Sequence, residues 1–152
     1  MSKKIYITEE QETFLKENKG LLFEYYIQVS NPKKDTNILG NIQVWIYGDD
    51  RKDFTPHCHV MTSDKSTEIE VSIIDWKLVN IKRQNINLRK LQKPFLVWLN
   101  QTSSSFAPYT NKEVMYRQWD ATNGNNTLSQ YAEEHKLKIA DKDLQQYLTE
   151  TK

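Results

Sequence analysis

Pro56-His57-Cys58-His59-Val60-Met61-Thr62, then Ser63-Asp64-Lys65-Ser66, then Thr67-Glu68-Ile69-Glu70-Val71-Ser72-Ile73-Ile74, decides how this chain folds. Two runs with apolar residues at alternate positions flank a polar break. Alternation marks strands, and a short polar break between two strands marks a hairpin turn. Pro56 opens the first run, where a proline costs no ladder hydrogen bond. A symmetric turn pairs Thr62 with Thr67. Counting back sets Val60 against Ile69, His59 against Glu70, Cys58 against Val71 and His57 against Ser72. Cys58, Val60, Ile69, Val71 and Ile73 then point to a core. His57, His59, Glu68, Glu70 and Ser72 point the other way. A slip of one residue would expose the whole apolar set, so this register is favoured.

Upstream, Leu21 to Val29 and Asn41 to Tyr47 alternate in the same manner, and each reads as a strand. Before them, Thr8-Glu9-Glu10-Gln11 has the form of a capping box for a short N-terminal helix. Downstream the period changes. Leu88, Leu91, Phe95, Trp98 and Leu99 recur at helical spacing, with Asn87 placed to cap and Pro94 placed to kink the helix or restart it. Further helices are expected over Asn111 to Trp119, from Leu128, and over Asp141 to Leu148. Strands clustered before helices predict an α+β fold. The expected form is a four-stranded antiparallel sheet with helices on one face and extra N- and C-terminal helices.

The chain has 152 residues, enough for one domain. Residues 1–35 read as an N-terminal extension, 41–123 as the centre, and 124–152 as a helical C-terminal extension. Four Trp, eight Tyr and five Phe can build a sizeable core. A mean hydropathy of −0.77 predicts a polar surface. No apolar run is long enough to span a bilayer, and the first residues turn acidic before a signal-like apolar segment forms. A lone cysteine, Cys58, fits a reducing compartment, so the expected location is cytoplasmic.

Two of the three histidines, His57 and His59, lie two residues apart on one strand and so share a face. Two imidazoles side by side suit metal ligation, an acid paired with a base, or a cation pair facing phosphate. With Glu70 opposite as a third donor, the set suits zinc, iron or nickel. The same three residues could serve acid–base catalysis, with Glu70 orienting His59. A plain cross-strand polar pair between His59 and Glu70 accounts for the same residues without a function. Cys58 reads as a small buried hydrophobe. The Trp residues read as core, with Trp45 and Tyr47 placed to border the histidine face. No nucleophile elbow, phosphate loop, zincin motif or paired-cysteine motif is present.

The net charge of +1 conceals an asymmetry. No Asp or Glu occurs from Trp76 to Lys112, a stretch that holds Lys77, Lys82, Arg83, Arg89, Lys90 and Lys93. Such a stretch can bind nucleic acid through its phosphates. It can also be a solvated surface balanced by neighbours in the fold.

Ile46-Tyr47, Asp53-Phe54-Thr55-Pro56-His57-Cys58-His59-Val60, Trp98 and Trp119 resemble the pattern of a family of small bacterial proteins of unknown function. That family carries a strand, an Asp-x-x-Pro-Pro-His-Phe-His-Val signature, a hairpin and Trp-bearing helices. Here Thr55 stands for the first proline and Cys58 for the aromatic. Residues 1–35 and 124–152 lie outside the resemblance. The family is often encoded beside a small partner in a toxin–antitoxin-like arrangement. The resemblance therefore implies an accessory or regulatory module of bacterial, phage or mobile-element origin that binds a protein or nucleic-acid partner. The alternative is a small phosphodiesterase or ribonuclease using His57 and His59, with or without a metal.

Overall fold

The hairpin forms in the expected register. His57 lies opposite Ser72, Cys58 opposite Val71, His59 opposite Glu70 and Val60 opposite Ile69. The four-residue turn is closed by the Thr62 N–H on the Thr67 carbonyl at 3.0 Å. Asp64 ties it together by accepting from the Thr62 hydroxyl and the Ser66 N–H. Lys65 takes the left-handed conformation that the turn needs, at φ 62°.

A computed structural model describes residues 26–30, 42–48 and 55–151. The expected N-terminal helix, most of the strand expected over 21–29, and Asp53 lie outside the described residues. Five strands form one antiparallel sheet in sequence order: β1 (Tyr26–Gln28), β2 (Ile42–Tyr47), β3 (His57–Thr62), β4 (Glu68–Ser72) and β5 (Leu78–Arg83). Four helices follow: α1 (Arg89–Leu99), α2 (Asn111–Thr122), α3 (Leu128–Glu134) and α4 (Lys142–Glu150). The α+β architecture is the one expected, and the four expected strands each contribute. The fifth extends the sheet through residues that the sequence presents only as part of a basic stretch. Strand β4 is also shorter than the run to Ile74. Ser72 turns the chain there, its hydroxyl accepting from the Ile74 and Asp75 N–H groups.

Strand β5 carries no readable alternation because two register shifts interrupt its pairing with β4, one between Glu68 and Ile69 and one between Glu70 and Val71. A bulge adds a residue to one strand and breaks the period of two. The shifts place Asn80 against Glu70 and Arg83 against Glu68.

The apolar face works as the sequence predicts. Val44, Ile46, Cys58, Val60, Ile69 and Ile73 are wholly buried. Helix α1 packs over β3 and α2 over β2. They deliver Leu91, Phe95, Trp98, Met115 and Trp119 into one cluster with the sheet residues. Helix α1 runs unbroken through Pro94, and Asn87 accepts the Arg89 N–H at its start. Helices α2 and α3 each begin with a complete capping box, at Thr110/Glu113 and Thr127/Gln130. Helix α4 is held by Leu144 and Tyr147 in the core and by Asp141, which caps it and pairs with Lys112 at 3.0 Å. Lys112, at the end of the acid-free stretch, is thus balanced by the acidic C-terminal segment.

Candidate metal centre

Strand β3 is buried on both faces, so the histidine face is not a solvent face. His57, His59, Glu68, Glu70 and Ser72 are each 5% exposed or less. One donor atom each from His57, His59 and Glu70 lie within 4.8 Å of one another. The cluster expected from the sequence is therefore assembled, and it could hold a metal ion.

Its wiring differs from the expected one. His59 lies opposite Glu70 in the ladder but bonds diagonally to Glu68, Nδ1 to Oε2 at 2.8 Å. His57 in turn reaches diagonally to Glu70, Nε2 to Oε1 at 3.1 Å. Glu70 therefore does not orient His59. Each carboxylate lies two residues from the position directly opposite its histidine, a separation that long side chains bridge. This frees Glu70 to be a ligand while Glu68 serves as the orienting group.

Each prospective ligand has its other polar atom held. The His57 Nδ1–H donates to the Thr55 carbonyl at 2.7 Å, which leaves Nε2 facing Glu70. The His59 Nδ1–H donates to Glu68, which leaves Nε2 as its lone-pair nitrogen. Glu70 Oε2 accepts from Asn80 Nδ2 at 2.8 Å, which leaves Oε1 toward His57. Ligating imidazoles characteristically donate their second N–H to a carboxylate or carbonyl, fixing tautomer and ring orientation. Both imidazoles here meet that requirement, and the Glu70 carboxylate is hydrogen-bonded in its turn.

Distances support the same reading. Two donors at about 2.0–2.2 Å from one zinc ion sit roughly 3 Å apart when they are neighbours in its shell. His57 Nε2 and Glu70 Oε1 already have this spacing. The outer limit of 4.8 Å for the set exceeds the about 4 Å that one ion spans, so a shared ion would need the third donor to move inward.

Burial pushes the His59 pKa below its ordinary value; the Glu68 hydrogen bond opposes this and the charge of His57 adds to it. His59 is accordingly neutral near pH 7, the form that binds metals. Burial raises Glu68. The His59 hydrogen bond and charge, with Arg83 and Lys82, outweigh it and hold the carboxyl below the usual carboxylate range.

Aromatic rings wall the cluster. Tyr47 stacks on His59 with ring centroids 4.0 Å apart, so it borders the histidines as its place in the sequence suggests. The two imidazoles are 5.1 Å apart, and Trp119 lies 5.8 Å from His57. The Thr55 hydroxyl meets the Tyr131 hydroxyl at 3.1 Å, which ties the His57 support to α3. Cys58 lies on the opposite face, wholly buried, and burial pushes its thiol far up, away from nucleophilic use.

The basic stretch does not form one patch at the histidines. Arg83 donates from Nη2 to Glu68 Oε1 at 2.6 Å and from Nε to the Lys65 carbonyl at 2.9 Å. Lys82 approaches Glu68 at 3.8 Å. Arg83 is thus an internal partner of the cluster rather than a free phosphate ligand. Lys77 is exposed beside β5, and Arg89, Lys90 and Lys93 are exposed on α1. Lys90 shares an open cavity of about 520 Å³ with Asp64, a carboxylate that disfavours phosphate there.

Sequence reasoning missed Thr55, Glu68 and Asn80 as supports, and assigned Arg83 elsewhere. Glu68 was legible in principle, since it shares a strand face with Glu70. Asn80 and Arg83 were not, because the bulges that bring them to the carboxylates leave no periodic trace.

No family model, curated protein or solved structure matches this chain. The site is therefore read from its own geometry. No helix among the described residues is long and apolar enough to cross a membrane.

If the cluster binds a metal, Glu68→Gln weakens it about 10–100-fold, the usual cost of removing an orienting carboxylate. A competition titration against a chromophoric zinc chelator reads this directly. Unchanged affinity would show that Glu68 does not support the ligand set.

Proposed function

We propose that this chain works through a single divalent metal ion, zinc foremost among zinc, iron and nickel, held by His57, His59 and Glu70. The observation that carries the reading is the completed support of all three donors by Thr55, Glu68 and Asn80. Two imidazoles and one carboxylate are a ligand set used by catalytic zinc and non-haem iron sites. A three-ligand zinc site keeps a position for water and lowers the pKa of that water to about 7.

The chemistry that suits such a site is metal-assisted hydrolysis. Phosphate esters are the substrate class in this reading, because Lys82 keeps 40% of its side chain exposed beside the cluster. His57 and His59 bind and are held in one tautomer each. Tyr47 stacks on His59, and Trp119 lies against His57. The binding-module reading rests on a different observation, the exposed apolar edge of β5.

Elemental analysis of tag-free protein, followed by turnover of bis(4-nitrophenyl) phosphate with zinc restored, tests the proposal. The expected result is near-stoichiometric metal and turnover that Glu70→Gln removes. Metal without turnover would overturn hydrolysis and leave a structural ion. Absence of metal after zinc restoration would overturn both.

A further inference from the structure

Strand β5 closes one side of the sheet, and its outer edge pairs with no other strand among the described residues. All six of its residues are exposed. Leu78, Val79 and Ile81 are 39%, 44% and 42% exposed, an unusual load of aliphatic surface for an edge strand. An open edge of this kind is a template for a further strand, through its backbone groups and alternate side chains.

We propose that the outer edge of β5 is the docking strand for an acidic, extended segment of a partner protein, which adds to the sheet as a sixth strand. Charge selects the partner. Lys77, Lys82 and Arg83 flank the aliphatic residues, and no Asp or Glu occurs from Trp76 to Lys112. Glu68 and Glu70, the acids bonded to β5, are buried on its inner side. A partner strand therefore meets Lys77 at one end of an apolar centre and Lys82, beside the exposed half of the Glu68-bound Arg83, at the other. Acidic residues flanking branched apolar ones complement that pattern.

The same charges disfavour a second copy of this chain. Antiparallel self-pairing centred on Asn80 sets Lys77 against Arg83 twice, and like charges directly opposite are unfavourable. Nucleic acid fits less well. Single strands are held by stacking on exposed aromatic rings. The large apolar residues exposed among the described residues, Leu78, Val79, Ile81, Leu96, Val97 and Leu137, are all aliphatic. The inference needs no metal in the His/Glu cluster.

The test is selection of a displayed library of short random peptides on the immobilised full chain, with parallel selection on Val79→Glu and Lys77→Glu. Both positions are exposed, and melting curves check that both variants fold. The expected result is enrichment of peptides in which Asp or Glu flanks a run of Val, Ile or Thr. Their affinity should fall about tenfold or more in each variant. They should also protect the amides of Leu78 to Arg83 from hydrogen exchange. No enrichment over the variants, or enrichment without an acidic excess, would overturn the proposal. So would protection of β5 by a single-stranded oligonucleotide instead, or by a concentration-dependent dimer seen in sedimentation.

Discussion

If the cluster holds the proposed ion, the chain carrying both His57→Ala and His59→Ala should emerge from purification without divalent metal, and the wild-type chain should carry it. This is the largest effect expected at the site, because two of three ligands disappear and a lone carboxylate retains little affinity. The loss has a thermodynamic counterpart. An ion at about a thousand times its Kd stabilises the native state by about 4 kcal/mol. For a domain of this size that amounts to a melting shift of roughly 10 °C. Wild-type protein should therefore melt higher with zinc than with a chelator, and the double variant should melt alike in both. The comparison separates metal binding from simple damage. Glu68 also holds Arg83 at 2.6 Å and Glu70 holds Asn80 at 2.8 Å, so removal of the imidazoles does not leave either carboxylate alone. Identical wild-type melting with zinc and with chelator would sink the metal centre and leave a polar network.

Trp119→Ala should be the most damaging single change in the described residues. Trp119 is 1% exposed and belongs to the core cluster. Its indole N–H donates to the Asn126 carbonyl at 2.7 Å across the α2–α3 connection. Truncation of a buried Trp costs about 3–5 kcal/mol through lost transfer energy and the cavity left behind. Loss of the hydrogen bond to the Asn126 carbonyl adds about 1 kcal/mol. Against a total of about 5–15 kcal/mol, this brings the chain close to unfolding. Trp119→Phe keeps most of the ring and loses the hydrogen bond, so it should cost much less. Urea unfolding followed by circular dichroism measures both variants. Equal midpoints for the two would mean that the hydrogen bond, and not the packing, dominates. Because Trp119 also walls His57 at 5.8 Å, a folded Trp119→Phe chain should still take up metal.

Much of the hairpin was legible because its information is local. Period-two alternation in residues 57–62 and 68–72 sets the register, and one buried face leaves no second choice. From that register alone, His57, His59 and Glu70 fall on one face, and the donor cluster follows. The first helix was legible for a similar reason: Leu91, Phe95, Trp98 and Leu99 repeat at helical spacing.

What the sequence by itself determined, then, is the α+β order, the hairpin register and the identity of three prospective ligands. The tertiary structure alone decided how those ligands are supported. The diagonal bonds His59–Glu68 and His57–Glu70 depend on side-chain reach across a twisted sheet. Asn80 and Arg83 arrive at the carboxylates only through two bulges in β5. Burial of the histidine face, which turns a modest cross-strand pair into a desolvated cluster, comes from β3 being covered on both sides. Such terms depend on distances between segments far apart in sequence, and periodicity within one segment carries no record of them.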